Sequence, residues 1–204
     1  MATEINGRLR GKLGNRIYYV DPVTGIQRVR QCPKKVRNPR SPLQTGHRGN
    51  FGLISHLSSL MSEAYDLGLH HHARRAKLRP YNDFRRLNKD CFTSDGNIDY
   101  QRLVLSRGSI PKVYFDHADM PHDNILNLSF DPELLTNGAY RNDKLRLYAF
   151  CPALEQGMLF PPVLRSDGSA TIELPEEWQQ PVHLYAFLLN SRGYASDTIY
   201  IPIG

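Results

Sequence analysis

The chain has 204 residues, of which 40% are hydrophobic and 23% are charged. These values exclude collagen, low-complexity disorder and a small disulfide scaffold, and they fit one or two compact domains. The charge is uneven, because residues 1–100 hold 18 basic and 8 acidic side chains whereas residues 101–204 hold 8 and 12. This asymmetry predicts two regions with different partners, the first of which meets an anionic or acidic surface.

The N-terminal part reads as strands joined by glycine turns. The runs at 16–20 and 26–32 flank an Asp-Pro-Val-Thr-Gly turn, which predicts a hairpin. Alternate residues of a strand share a face, so Arg28 and Arg30 are predicted to lie on one side of it. We therefore expect a hairpin with one cationic face.

An extended arm at 33–40 precedes a predicted helix. Residues before proline avoid the helical region, which keeps the arm extended. Ser41-Pro42-Leu43-Gln44 then matches a capping box with proline at the first helical position. Apolar residues spaced by three and four predict a core-facing helix that ends near Gly68. The stripe consists of Phe51, Ile54, Leu57, Leu60, Met61, Ala64 and Tyr65. Residues 70–79, which are polar and cationic, are interpreted as a solvated segment before a second helix that follows Pro80.

The remainder of the chain has the texture of short strands separated by turns. Strands are predicted at 100–106, 124–130, 143–151, 158–164, 169–174, 181–189 and 196–203. The alternation of Leu145 and Leu147 with Arg146 and Tyr148 is typical of a half-buried strand. Seven strands at this spacing predict an immunoglobulin-like sandwich, and the missing cysteine pair favours the fibronectin-like variant. The predicted fold is α+β and mainly β, with domains at 1–95 and 96–204.

Several short blocks resemble a known family. The most specific is Asn-Pro-Arg-Ser-x-x-Gln at 38–44, which continues through Arg48 to Phe51, and further blocks lie at 106–108 and 182–187. Together they resemble an uncharacterised domain family from Bacteroidetes. The first block is also similar to phage structural proteins in which a small helical head precedes β domains. The resemblance implies a two-part architecture and a role in a virion or tail, and it implies no activity.

The cations of the N-terminal half are the strongest functional signal. They are predicted to bind a partner, and the set is Arg8, Arg10, Lys12, Arg16, Arg28, Arg30, Lys34, Lys35, Arg37, Arg40 and Arg48. A protein neighbour, including a second copy of the chain, is the preferred partner. Nucleic acid is the alternative, because Tyr18 and Tyr19 are interleaved with the cations and aromatic rings stack on bases. No catalytic signature is evident, so we expect a non-enzymatic assembly protein.

Other motifs favour simple structural roles. Gly7, Gly11 and Gly14 lack the spacing of a phosphate-binding loop and are interpreted as turn residues. Residues 116–123 hold five potential metal ligands, three aspartates and two histidines, and are interpreted as an inter-strand loop, with a metal site as the alternative. Trp178 is predicted to close the sandwich core or to pack at its edge. A carbohydrate- or metal-binding module is thus a third functional hypothesis.

Features of export and redox chemistry are missing from the sequence. No run approaches the roughly 20 apolar residues of a membrane helix, and residues 1–8 lack the apolar core of a secretory signal. Cys32, Cys91 and Cys151 show no zinc-ligand spacing. We expect a cytoplasmic or virion protein without signal peptide, membrane contact or cofactor, whose cysteines are free thiols.

Overall fold

The computed structural model of the chain describes residues 2–33, 41–93, 96–122, 124–132, 138–178 and 181–203. The fold is a mixture of helix and strand in which strand is the larger part. The chain divides into two compact units, Met1–Gly46 and His47–Gly204. This division differs from the boundary near residue 95 that the charge pattern predicts. The reason is that helices within 47–93 share a hydrophobic cluster with C-terminal strands.

The first unit contains a four-stranded antiparallel meander. Its strands are β1 (Thr3–Ile5), β2 (Arg8–Leu13), β3 (Arg16–Val20) and β4 (Gln27–Gln31), and they pair in chain order. Asn6 and Gly7 both have positive φ, 51° and 71°, as the tightest hairpin turn requires. Gly14, with φ 56°, opens the next turn. The predicted hairpin and the interpretation of Gly7 and Gly14 as turn residues are confirmed. Gly11 instead lies inside β2, opposite Tyr18, and is not a turn residue.

The turn between β3 and β4 is held by its first residue. Asp21 Oδ1 accepts hydrogen bonds from the backbone N–H groups of Val23 and Thr24, at 2.9 and 3.3 Å. Gly25, with φ 67°, donates its own N–H to the Asp21 carbonyl at 2.8 Å. An aspartate that bonds the backbone two residues on is a common turn device. This turn sets the register in which β4 returns along β3.

Four α-helices follow in the described residues of 41–93. They are α1 (Pro42–Leu60), α2 (Ser62–Gly68), α3 (His70–Arg75) and α4 (Pro80–Leu87). Ser41 Oγ accepts from the Gln44 N–H at 3.3 Å, which confirms the predicted cap. The expected single helix to Gly68 is interrupted at Met61. The 70–79 segment contains α3 and is mainly exposed apart from the buried Ala73, so its interpretation as solvated is confirmed for most of its residues. No helix in the described residues is long and apolar enough to cross a membrane.

Most of the predicted apolar stripe faces the core. Ile54, Leu57, Met61, Ala64 and Tyr65 are buried. Phe51 is the exception, because 61% of it is exposed. The guanidinium of Arg85 lies over its ring at 3.7 Å from the centroid, which covers one side of the ring by a cation–π contact.

The described part of the second unit also contains eight strands. They are β5 (Phe115–His122), β6 (Ile125–Phe130), β7 (Lys144–Cys151), β8 (Gln156–Leu159), β9 (Val163–Leu164), β10 (Ser169–Glu173), β11 (His183–Leu189) and β12 (Ile199–Ile201). One sheet has the order β10-β6-β5, and the other has the order β12-β11-β7-β8 with β9 also paired to β7. All named pairs are antiparallel. The two sheets share one hydrophobic core, to which β6, β7, β10 and β11 contribute.

Three strand predictions need correction. The segment 100–106 forms a short 3-10 helix, Tyr100–Arg102, followed by irregular chain. The predicted strand at 158–164 is two strands, because Pro161 and Pro162 separate β8 from β9 and proline has no N–H to donate to a ladder. The segment 116–123, expected to be a loop, supplies most of strand β5. Its polar side chains hide the strand, because β5 lies at the edge of its sheet.

Strands β7 and β11 have two buried faces. Leu145 and Leu147 belong to the core between the sheets. Tyr148 and Phe150 point to the opposite side and pack with helices α1, α2 and α4. The prediction of a half-buried strand was therefore wrong, since Tyr148 has no exposed surface. Strand β11 repeats the pattern, and its Tyr185 lies opposite Tyr148 in the ladder.

Hydrogen bonds fix the helices to the aromatic face of this sheet. Tyr148 donates its hydroxyl to the Leu60 carbonyl at the end of α1 at 3.0 Å. Tyr185 donates to the Tyr100 carbonyl at 2.7 Å. Burial raises the pKa of Tyr185 well above the ordinary value. A buried tyrosine keeps its proton, so both hydroxyls act as donors that set the depth of the helical layer.

The segment that leaves the helices is tied to the chain end before β12. The Thr198 hydroxyl accepts from the backbone N–H groups of Leu105 and Ser106 at 2.9 and 2.8 Å. Ser106 donates its hydroxyl to the Ser196 carbonyl at 2.8 Å. Gly108 passes so close to Ala195 that an added Cβ would lie 2.0 Å from the Ala195 carbonyl oxygen. Only glycine fits at this crossing.

This crossing predicts a large difference between two glycine substitutions. Gly108→Ala should destabilise the protein by about 2–4 kcal/mol, because backbone must shift to accept the methyl group. Gly49→Ala, in an open position of α1, should instead stabilise it by about 0.5–1 kcal/mol. Urea denaturation of both variants measures the difference. Equal midpoints for Gly108→Ala and the unchanged chain would contradict the packing described.

Candidate functional site

Strand register gathers five of the predicted cations on one face of the N-terminal sheet. Lys12 lies opposite Ile17, and Ile17 lies opposite Arg30. Partners in an antiparallel ladder point to the same side, and so do residues two apart in a strand. The cationic face therefore consists of Arg8, Arg10, Lys12, Arg28 and Arg30, with Ile17 and Tyr19 between them. The predicted sharing of one face by Arg28 and Arg30 is confirmed.

The cations of this face are largely unneutralised. Arg28 Nε lies 3.1 Å from Asp21 Oδ2, so this guanidinium is paired. In the described part of the chain, none of the other four is within ion-pair distance of a carboxylate. Residues 1–46 hold 10 basic and 2 acidic side chains. A sheet face with this density of charge attracts an acidic surface over roughly a Debye length, about 8 Å at physiological salt.

The opposite face of the same sheet is mainly apolar. It carries Leu9, Leu13, Tyr18, Val20 and Val29, together with Glu4, Arg16, Gln27 and Gln31. Leu13 and Val29 are about half exposed, at 52% and 50%. No described residue of 2–33 is buried. The sheet thus presents two different accessible faces, and Arg16 is separated from the cationic face.

The other five predicted cations lie outside the strands of this sheet. Lys34, Lys35, Arg37 and Arg40 lie outside the described residues. Arg48 is exposed on α1, in the second unit. Tyr18 and Tyr19 fall on opposite faces of β3, so only Tyr19 lies among the cations. Strand alternation is the sequence signal that places Arg16 and Tyr18 on the opposite face from Ile17 and Tyr19.

The second unit carries a complementary sheet face. Asp119 of β5 lies opposite Asn127, and Asn127 lies opposite Thr171 of β10. Glu173 follows two positions later on the same face. This outer face is exposed and carries two carboxylates, Asp119 and Glu173, beside His117, whereas the described side chains of β5, β6 and β10 include neither lysine nor arginine. We call it the acidic face.

The other candidate sites are the potential metal ligands, Trp178 and the cysteines. The described residues contain no group of three or more histidine, cysteine or carboxylate side chains that could hold a metal ion. Trp178 is partly buried, packs against the core between the sheets and donates to Gln156 Oε1 at 3.0 Å. Its predicted place at the core edge is confirmed. None of the three cysteines forms a disulfide, and burial raises the pKa of the Cys91 thiol.

Sequence reasoning missed the charged cluster at Asp83. Asp83 on α4 has no exposed surface, and its carboxylate contacts the imidazole of His72 and the guanidinium of Arg86. His72 Nδ1 lies 2.5 Å from Asp83 Oδ2, and Arg86 donates Nη2 and Nε to Oδ1 at 2.7 and 3.1 Å. The i and i+3 spacing of Asp83 and Arg86 is visible in the sequence, but the approach of α3 is not.

The chain matches no protein-family model and no curated protein sequence.

The pKa of Asp21 tests the geometry of the turn beside the cationic face. Backbone hydrogen bonds from Val23 and Thr24, followed by Arg28, lower the pKa of Asp21 below the ordinary 3.8. A lowered carboxyl pKa contributes stability above the unfolded value, and this contribution is lost as the pH falls through the folded pKa. We expect amide exchange in the β3–β4 hairpin to accelerate in that acidic range.

Carboxyl NMR titration of Arg28→Gln provides the matched test. The pKa of Asp21 should stay lowered in this variant, because the backbone N–H groups are the larger cause. A return of the Asp21 pKa to its ordinary value would show that the ion pair, rather than the turn, holds the aspartate.

Proposed function

We propose that this chain is a non-enzymatic assembly protein whose N-terminal sheet docks on a neighbouring copy of the same chain. The observation that carries the proposal is a four-stranded sheet with no buried described residue and five cations on one face. A small sheet gains independent stability by covering an apolar face. On the cationic face itself Ile5 and Tyr19 are 50% and 41% exposed, so docking of this face also buries apolar surface.

Charge complementarity favours a second copy as the partner. Residues 1–46 carry a formal charge of +8, whereas residues 47–204 hold 16 basic and 18 acidic side chains. The acidic face, which carries Asp119 and Glu173, has the opposite charge to the cationic face. Glu176 and Glu177 follow β10 directly and are exposed. Opposite potentials on two faces steer association and set its register.

A contact between two different faces of one chain is head-to-tail. Such a contact repeats from copy to copy and produces a ring or a filament. Rings and filaments are the architectures of virion and tail components, which the resemblance of the 38–44 block implies. We accordingly propose that this chain is located in the virion, or in the cytoplasm, where its assembly takes place first.

The finer fold assignment rests on the two C-terminal sheets. We propose a fibronectin- or immunoglobulin-like sandwich, supported by two antiparallel sheets that enclose one hydrophobic core. Helices cover the outer face of one sheet, which an isolated sandwich lacks. The acidic face belongs to the other sheet.

Nucleic acid is the second candidate partner. The position of Tyr19 between cations of the neighbouring strands favours it, since single strands bind where aromatic rings and cations share a surface. The two candidates make opposite demands on the cationic face. Docking covers this face with protein, whereas nucleic acid needs it free.

Light scattering after size exclusion tests the docking proposal. The chain has a mass of 23.3 kDa, and we expect larger species whose mass rises with protein concentration and falls with salt. Arg30→Glu on the cationic face should weaken association by about tenfold, because it sets like charges against each other. Arg16→Glu is the matched control on the opposite face and should have a smaller effect that salt does not enhance.

A charge exchange sharpens the same experiment. Glu173→Lys should weaken association alone and restore it in combination with Arg30→Glu. A 23.3 kDa species at every concentration, with single-stranded DNA binding that Arg30→Glu abolishes, would replace docking by nucleic-acid binding.

A further inference from the structure

A cleft of about 360 Å³ in the second unit collects basic side chains from two segments. His71, His72 and Arg75 come from helix α3, and Arg107 comes from the chain that follows the helical layer. None of the described residues that line the cleft carries a carboxylate. The cleft therefore presents two guanidinium groups and two imidazoles, with Asp197 beside it as the partner of Arg107 and of the Gly108 N–H. It belongs to the second unit and is set apart from the N-terminal sheet in sequence.

The cluster around Asp83 orients one of these side chains. His72 places Nδ1 on the buried Asp83 carboxylate, which Arg86 also holds by two hydrogen bonds. A buried carboxylate that bonds one ring nitrogen fixes the direction of an imidazole. Nε2 is the ring nitrogen of His72 that is left for a ligand. The ring is 29% exposed, so the cleft has access to it.

Contacts between the two sides of the cleft hold its walls in place. His71 Nε2 lies 3.1 Å from the Arg192 carbonyl, and its ring stacks on Tyr194 with 4.3 Å between centroids. Arg107 Nη1 lies 3.7 Å from Asp197 Oδ2, a single long contact that leaves most of its five donors available. The crossing of Gly108 over Ala195 fixes the backbone on which Arg107 stands.

We propose that this cleft binds a small phosphate monoester. Guanidinium groups match the geometry and charge of a phosphate, and Arg75 and Arg107 supply them from two sides of the cleft. The volume exceeds that of a phosphate group alone and falls within the range of small-molecule sites. The exposed ring of Tyr194 offers an apolar wall to the organic part of the ligand. This site goes beyond the docking function and is independent of it.

NMR titration with inorganic phosphate and with phenyl phosphate, at fixed ionic strength set by chloride, tests the proposal. We expect saturable shifts at the amides of 107–109 and at the rings of His71 and His72, with tighter binding of phenyl phosphate. Arg75→Gln and Arg107→Gln should each weaken binding by about tenfold, as expected for loss of a charge-assisted hydrogen bond. Arg75 is exposed, so its replacement leaves the fold intact.

Arg74→Gln is the matched control. Arg74 neighbours Arg75 on α3 and is exposed, but it does not line the cleft. We expect the affinity of the Arg74→Gln variant for phenyl phosphate to stay within about twofold of that of the unchanged protein, since this variant loses only a charge outside the cleft. Linear, non-saturating shifts, or an equal loss in Arg74→Gln and Arg75→Gln, would overturn the site. Equal affinity for the two probes would overturn the assignment to a monoester.

Discussion

The second unit depends on one constraint, which is that strands β7 and β11 are buried on both faces. Their aliphatic side chains build the core between the sheets, and their aromatic side chains form a platform for the helices. Each fully buried aromatic side chain contributes about 1.5–3 kcal/mol, so the helical layer is held by the sheet more than by its own propensity. The hydroxyls of Tyr148 and Tyr185 then fix its position. The same layer supplies α3, and with it the wall of the basic cleft.

The N-terminal sheet obeys the opposite constraint, since no described residue within it is buried. Its turns and ladder specify the strands locally, and alternation separates cations from apolar side chains. A sheet of this kind gains its hydrophobic stabilisation only through an additional surface. The cationic face is the part of the chain with the greatest charge imbalance, and the acidic face of β5, β6 and β10 is its complement. Assembly between copies satisfies both surfaces without requiring any other partner.

Local rules predicted the local features. Three features follow from side-chain chemistry within a few residues. They are the cap at Ser41, the turn at Asp21 and the position of Arg28 and Arg30 on the same face of β4. The errors concern tertiary context. Tyr148 resembled a solvent-facing residue because nothing in its strand announces the helices that cover it, and β5 resembled a loop because an edge strand tolerates polar residues. The approach of His72 to Asp83 depends on the packing of two helices and has no signal in the linear pattern.

The central claim is that the cationic face of one copy lies against the acidic face of another. Zero-length carbodiimide crosslinking of an equal mixture of ¹⁴N- and ¹⁵N-labelled chains tests it most directly, because Lys12 is the only lysine of the cationic face. We expect mixed-isotope crosslinks from Lys12 to Asp119 or Glu173, and their loss in Arg30→Glu. Crosslinks from Lys12 that are confined to single chains, or no reaction of Lys12 in assembled protein, would contradict the account.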